Sequence, residues 1–157
     1  FEPGSLVQVV DERNQFVGHA YVNPATLIAA RIVSRLADKP VDGALFVERL
    51  QRALALRERI HPRPYWRWVY GESDGLPGLV LDRFGDVVVG QVATLGMERL
   101  KPLVEAAVRS VLAPATFVWK NDSGARALEG LPAEFEVCWG DAPAEVEVVE
   151  TLADGRA

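Results

Sequence analysis

The chain has 157 residues, of which 49% are hydrophobic and 25% charged, and its formal net charge is −5. These values are typical of globular proteins, and the length suits one domain or two small ones, so disordered chains and large multidomain enzymes are excluded. The apolar runs are much shorter than the roughly 20 residues of a membrane helix, so we expect no membrane contact.

The single cysteine indicates the cellular compartment, and the uneven charge indicates which ligands the chain could bind. Cys138 cannot form an internal disulfide, which is typical of a reducing compartment and predicts a cytoplasmic protein. Residues 31–67 carry nine basic and four acidic residues, whereas residues 134–157 carry one basic and seven acidic residues. The basic stretch permits contact with phosphates although the whole chain is acidic, and a solvated helix face with an acidic tail is the simpler interpretation.

The pattern of the first 36 residues predicts a short β segment. Residues 5–10 and 16–22 alternate as two strands, and residues 11–15 form the turn between them. A two-stranded hairpin is marginal alone, so we expect it to belong to a sheet whose other strands lie outside this chain. Asn23-Pro24 ends the second strand, and residues 26–36 are predicted to be extended or a short helical turn.

The next segment predicts a helix over residues 43–59. Asp42 is a suitable N-cap, and Pro62 and Pro64 follow the helix end. A stripe of apolar residues should face the core: Leu45, Phe46, Leu50, Ala53 and Leu54. The spacing places three basic residues on the opposite side: Arg49, Arg52 and Arg59.

The rest of the chain predicts an α+β arrangement with a boundary near residues 36–41. A second amphipathic helix is expected over residues 97–112, with Pro102 tolerable only near its first turn, and a polar loop over residues 124–130. Strands are expected over residues 65–70, 79–84, 87–94, 115–120, 134–139 and 145–150.

Most familiar catalytic patterns are missing from the sequence. His19 and His61 have no cysteine at zinc-ligand spacing, and Cys138 in an apolar strand is typical of a buried, inert thiol. No two of the 13 glycines are two positions apart, so the dinucleotide-binding fingerprint is absent. We therefore predict no metal-ligating residue and no catalytic residue.

Two stretches allow alternative interpretations. Residues 71–86 bring Glu72, Asp74, Asp82 and Asp86 together, which suits either a metal or acid–base site or a tight connection whose carboxylates cap loop amides; the second is favoured. Residues 65–70 interleave aromatic and basic residues, as in surfaces that stack unpaired bases. Strict alternation would place Trp66, Trp68 and Tyr70 on one face and Tyr65, Arg67 and Val69 on the other.

The string Gly-Glu-Ser-Asp-Gly-Leu-Pro-Gly-Leu-Val-Leu-Asp-Arg at residues 71–83 resembles the middle of S-adenosylmethionine-dependent ribosomal RNA large-subunit methyltransferases, the cytosine-5 enzymes with an N-terminal PUA domain. Residues 18–24, Ile28 and residues 31–34 resemble the end of that PUA domain and its exit. The similarity extends from Gly4 to about Glu150.

The resemblance implies a domain organisation. Residues 1–36 would be the C-terminal part of a PUA-like β-barrel, and residues 37–157 the central α+β domain, with two main helices packed on a sheet. The family's catalytic domain would begin where this chain ends, near Ala157, so we expect a fragment that methylates nothing alone. S-adenosylmethionine is expected in the full-length protein, and no cofactor-binding residue is assigned here; Cys138 lies outside the family's catalytic region.

The resemblance also implies a function. The chain would bind and orient large-subunit ribosomal RNA for the catalytic domain. The candidate RNA contacts, chosen by charge and family position, are Arg31, Arg35, Arg49, Arg52, Arg63, Arg67 and Arg126. One alternative is a non-enzymatic spacer or protein-interaction module, which the net charge of −5 favours. A weaker one is a carboxylate-dependent hydrolase built on Glu72, Asp74 and Asp82.

Overall fold

The computed structural model describes residues 1–148, and the first of its two sheets lies at the N-terminus. Strands β1 (Leu6–Val10), β2 (Phe16–Val22) and β3 (Ala30–Ser34) form an antiparallel sheet in the order β1-β2-β3. The Asp11 carboxylate accepts the Arg13 and Gln15 amides, both at 2.8 Å, and closes the predicted turn. The expectation that the hairpin lacks a partner strand within this chain is wrong, since β3 supplies one.

The second sheet has five strands in sequence order. They are β4 (Tyr65–Tyr70), β5 (Leu79–Phe84), β6 (Val87–Val92), β7 (Thr116–Asn121) and β8 (Glu134–Trp139). All neighbours are antiparallel except β6 and β7, which are parallel. A parallel pair needs a crossover, and here α2 (Leu95–Arg99) and α3 (Lys101–Val111) provide it. This sheet with its helices confirms the predicted α+β class.

Helix α1 (Gly43–Ile60) packs with α3 on one face of this sheet. The Asp42 carboxylate caps it by accepting the Leu45 amide at 3.0 Å, as the sequence predicts. Four of the five stripe residues, Leu45, Phe46, Leu50 and Ala53, are buried, and Leu54 is partly buried. The Trp68 indole donates to the Leu50 carbonyl at 3.0 Å, and the Trp119 indole donates to the Glu105 carboxylate of α3 at 2.9 Å.

Three predicted elements differ from the structure. The helix expected over residues 97–112 is divided at Leu100, and Pro102 lies in the first turn of α3, where its missing N–H removes no hydrogen bond. Residues 124–130 contain the short helix α4 (Ala125–Leu128) instead of being loop throughout. Residues 145–148 are not in a strand, and the last two residues of that expected strand lie outside the described residues.

A β-bulge in β4 overturns the predicted alternation of residues 65–70. Arg67 pairs with Asp82 and Val69 with Leu81, so Trp68 is an extra residue on its strand. Trp68 and Val69 are both buried as a result, and Tyr70 lies on the same side as Arg67. Tyr70 is therefore 57% exposed instead of sharing the core with Trp66 and Trp68.

Tyr21 of β2 connects the first sheet to a second unit, which consists of the five-stranded sheet and its helices. Its hydroxyl donates to the Pro77 carbonyl at 2.9 Å and lies 2.9 Å from the Thr94 hydroxyl, and the residue is only 3% exposed. A Cβ atom on Gly96 would lie 2.1 Å from the Tyr21 ring, so only glycine permits this approach. Nearby, the Asn23 amide donates to the Glu129 carboxylate at 2.7 Å.

We expect Tyr21→Phe to lower the free energy of unfolding by about 1–2 kcal/mol, because it leaves the buried Pro77 carbonyl without its donor. Chemical denaturation followed by tryptophan fluorescence measures this. Tyr65→Phe is the control, since the Tyr65 hydroxyl has no hydrogen bond among residues 1–148, and its effect should stay below about 0.5 kcal/mol. Equal stability of the two variants would contradict the assigned contact.

The burial of Tyr21 should also make stability depend on alkaline pH. Burial raises the pKa of Tyr21 to about 12 from its ordinary value of 10.0. The folded chain therefore keeps a proton that the unfolded chain loses, and the free energy of unfolding should fall as the pH rises from about 10 to about 12. Denaturation at a series of pH values should show this fall in the natural chain and a smaller one in Tyr21→Phe.

Candidate nucleic-acid interface

The connection between β4 and β5, residues 71–78, is a tight structure held by its own backbone. Gly71–Asp74 form one turn of 3-10 helix, and Gly75 ends it with a φ of 73°. Gly78 has a φ of 74° and lies against the Thr94 side chain. The Asp74 carboxylate accepts the Tyr70 amide at 2.7 Å, so it caps this connection as the favoured interpretation predicts.

Three of the four carboxylates considered for metal or acid–base chemistry are each paired with an arginine. Glu72 lies 3.3 Å from Arg31, and Asp74 lies 2.7 Å from Arg57. Asp82 accepts two hydrogen bonds from Arg67, at 2.8 and 3.1 Å. Among residues 1–148, no three histidine, cysteine or acidic side chains are grouped as metal ligands would be. This pairing removes the basis of the hydrolase alternative.

Three of the predicted arginines lie around this connection. Arg31 reaches Glu72, and the Arg49 guanidinium donates to the Gly75 carbonyl. Arg49 and Arg52 line a polar cavity of about 350 Å³ together with Glu72 and Ser73. Arg52 is exposed and has no ion-pair partner in the described part of the chain, which leaves its charge available to a ligand.

The placement of Arg49 corrects the prediction that it lies on the solvent side of α1. Its side chain turns toward Gly75 and is partly buried, and this burial lowers the pKa of the Arg49 guanidinium from its ordinary value. The helical spacing identified the face correctly for Arg52 but did not account for the loop that covers Arg49.

A second, more apolar cavity of about 460 Å³ lies on the other side of the same connection. It shares Glu72 and Ser73 with the polar cavity and is bordered by Tyr70 and Gln91. The Arg67 guanidinium lies 5.3 Å from the centre of the Tyr70 ring. Sequence reasoning missed Gln91, because a single polar residue in a valine-rich strand carries no signal without the strand order.

The remaining predicted arginines are elsewhere. Arg35 is exposed just beyond β3, and Arg63 is exposed after α1. Arg126 is only 2% exposed: its guanidinium donates to the Val92 carbonyl at 2.7 Å, to Glu98 at 2.8 Å and to the Pro132 carbonyl at 2.9 Å. In this conformation Arg126 holds the loop after β7 in place and presents no free donor to the surface.

Cys138 is partly buried in β8, beside Glu105. Burial, with a further contribution from the Glu105 charge, raises the pKa of the Cys138 thiol to about 12. A thiol with this pKa carries almost no thiolate at neutral pH, so Cys138 is poorly suited to act as a nucleophile.

We expect Arg126→Met to lower the free energy of unfolding by about 3 kcal/mol, because it leaves two carbonyls without their donor and Glu98 with only the Lys101 ammonium at 3.5 Å. Urea denaturation followed by circular dichroism measures the change. Lys120→Met removes an exposed pair with Asp122 and should cost less than about 1 kcal/mol. A small effect of Arg126→Met would mean that its network is not a structural one.

Comparison with known proteins shows similarity to a PUA-like domain and to ribosomal RNA methyltransferases. Residues 1–35 match the family model of a PUA-like domain. The chain is 31% identical over 150 residues to a ribosomal RNA large subunit methyltransferase I of Alteromonas mediterranea, covering 94% of this chain and 38% of that protein. It is 33% identical over 145 residues to the protein of the same name from Erwinia tasmaniensis, covering 90% and 37%.

Solved structures share the fold. A putative SAM-dependent methyltransferase from Streptococcus mutans has a TM-score of 0.73 at 18% identity, over 90% of this chain and 36% of that one. A putative methyltransferase complexed with SAH has a TM-score of 0.74 at 17% identity, over 91% and 36%. The chain thus spans little more than a third of the length of its curated relatives, and over that part it is homologous to ribosomal RNA large subunit methyltransferases.

Proposed function

We propose that this chain is the substrate-binding part of an S-adenosylmethionine-dependent ribosomal RNA (cytosine-5) methyltransferase. Its role is to hold and orient large-subunit ribosomal RNA for a catalytic domain. The names of the homologous proteins and the fold shared with methyltransferase structures support this proposal. A cytoplasmic location, where ribosomal RNA is modified in bacteria, is part of the same proposal. In the described part of the chain, no helix is long and apolar enough to cross a membrane.

In this proposal the chain has two domains. Residues 1–36 are the C-terminal part of a PUA-like domain, and residues 37–157 are the central α+β domain. The family-model match over residues 1–35 and the separate sheets β1–β3 and β4–β8 support this division. The buried contact of Tyr21 with Pro77 and Thr94 would hold the two in a defined orientation, as a surface shared by one RNA requires.

The observation that carries the proposal is the group of arginines around residues 71–75. Arg31, Arg49 and Arg52 approach one connection from β3 and α1, and Arg67 lies on its other side, next to Tyr70. Folded RNA presents closely spaced phosphates, which such a group can contact together. We include Arg35 and Arg63 as peripheral contacts and leave Arg126 out, because its guanidinium is enclosed.

S-adenosylmethionine would supply the methyl group in the full-length protein. The residues of this chain do not fit that cofactor, because the sequence contains no Gly-x-Gly turn of the kind that dinucleotide-like cofactors use. The two cavities beside residues 71–78 also lie at an antiparallel connection instead of the carboxyl end of a parallel sheet. We therefore assign RNA binding, and no chemical step, to these residues.

We expect Arg52→Ala to weaken binding of a large-subunit ribosomal RNA fragment about three- to tenfold. The plot of log affinity against log salt concentration should lose about one unit of slope, because one phosphate contact is removed. Filter binding at several salt concentrations measures both quantities.

Arg13→Ala is the matched control, because Arg13 is also exposed but lies in the turn between β1 and β2, at the hairpin end remote from Tyr21 and Val22. It should leave both quantities unchanged. Absence of RNA binding by the natural chain at low salt would contradict the proposal and favour the spacer or protein-interaction alternative.

A further inference from the structure

One face of the five-stranded sheet carries a row of side chains that neither α1 nor α3 covers. Those helices contact the opposite face through Trp68 and Trp119. The register pairs Tyr70 with Val80, and Val80 with Gln91. Paired residues of neighbouring strands point to the same side, so these three residues form a row across β4, β5 and β6.

The 460 Å³ cavity lies at the start of this row. Val80 and Ala93 give it apolar walls, and Tyr70 borders it with an exposed aromatic ring. The side-chain amide of Gln91 has no hydrogen-bond partner among residues 1–148, so both its donor and its acceptor are free. This combination of a flat ring and one free amide suits a planar ligand with a polar edge.

The Tyr70 ring is already held in position. The Arg67 guanidinium lies 5.3 Å from the ring centre, and two hydrogen bonds to Asp82 fix that guanidinium. A ring that is ordered before binding loses little side-chain entropy when a ligand stacks on it. The bulge at Trp68 directs Tyr70 outward, so the exposure of this ring is a property of the strand and not of a mobile loop.

A cation for phosphate lies next to the aromatic cavity. Glu72 and Ser73 form a wall shared with the polar cavity, and Arg52 on the far side of that wall has no ion-pair partner in the described part of the chain. An unpaired nucleotide needs a ring to stack its base and a nearby cation for its phosphate. The two cavities offer these side by side.

We propose that the Tyr70 cavity is a base-binding site for single-stranded RNA. The base of one unpaired nucleotide stacks on Tyr70 with its polar edge toward Gln91, and the adjacent phosphate contacts Arg52. This inference rests on the proposed RNA-binding function and adds to it a specific site for an unstacked base.

The opposite edge of the sheet shows why Tyr70 is selected and not another exposed ring. Phe135 of β8 is 61% exposed and pairs with Lys120, whose charge is taken up by Asp122 at 3.1 Å. The cation beside Phe135 is therefore neutralised, whereas Arg52 near the Tyr70 cavity has no ion-pair partner among residues 1–148. Four strand spacings separate β8 from β4, about 19 Å, so Phe135 does not contribute to the same base site.

The test uses this chain and a single-stranded RNA of about ten nucleotides that carries 2-aminopurine, whose fluorescence is quenched by stacking. The natural chain should quench it on binding. Tyr70→Ala should abolish the quenching and weaken binding about tenfold, and Tyr70→Phe should preserve both. Phe135→Ala is the matched control and should behave like the natural chain. Tyr70→Leu gives a second ring-free variant if Tyr70→Ala does not fold.

The possible failures are distinguishable. In one outcome, Arg52→Ala weakens RNA binding but Tyr70→Ala changes neither the affinity nor the quenching. That result would overturn the base site and leave the proposed function intact. Absence of any RNA binding would overturn both. In another outcome, analytical ultracentrifugation shows a dimer for the natural chain and a monomer for Tyr70→Ala, and neither quenches the fluorescence. That result would show that this face binds a second copy of the chain, and it would overturn the base site.

Discussion

The geometry of the candidate interface depends on the buried contact of Tyr21 with residues 77, 94 and 96. The ring lies on Gly96, where any larger residue would collide with it, and the hydroxyl bonds to the carbonyl of Pro77 within the connection that the arginines surround. Because β3 is paired to β2, fixing Tyr21 also fixes Arg31 against Glu72. The first sheet therefore contributes a cation to a surface that belongs mainly to the second sheet.

Ion pairing separates the arginines into structural and available groups. Arg57 and Arg67 are held by Asp74 and Asp82, and Arg126 is enclosed with Glu98. These pairs order the connection and the loop after β7; Arg57 and Arg126 are covered, whereas Arg67 keeps 47% of its side chain exposed and can still contact a phosphate. The available charge is concentrated at Arg52 and Arg35, which have no such partner among residues 1–148. Net charge alone, at −5, gives no indication of this arrangement.

Local signals in the sequence were sufficient for most elements of the second unit. The cap at Asp42 and the apolar stripe of α1 depend only on neighbouring residues, as do strands such as β8, and these predictions are confirmed. The sequence left residues 26–36 open between extended chain and a helical turn, because Arg31 and Ser34 interrupt the apolar residues of β3 without a clear alternation; pairing with β2 specifies the strand. The burial of Arg126 and the approach of Arg49 to Gly75 depend on contacts between distant segments, which residue type and spacing do not encode.

The bulge at Trp68 lets β4 bury two consecutive residues and still present Tyr70 to solvent. If the same six residues formed a regular strand, Trp68 would pair with Leu81 and Val69 with Val80, and Tyr70 would point toward the helices. Loss of the bulged residue itself would keep Val69 opposite Leu81 and Tyr70 opposite Val80, so the outer face would be unchanged. It would remove the indole that donates to the Leu50 carbonyl. A related sequence that is one residue shorter here would therefore keep the exposed ring and lose a contact between β4 and α1.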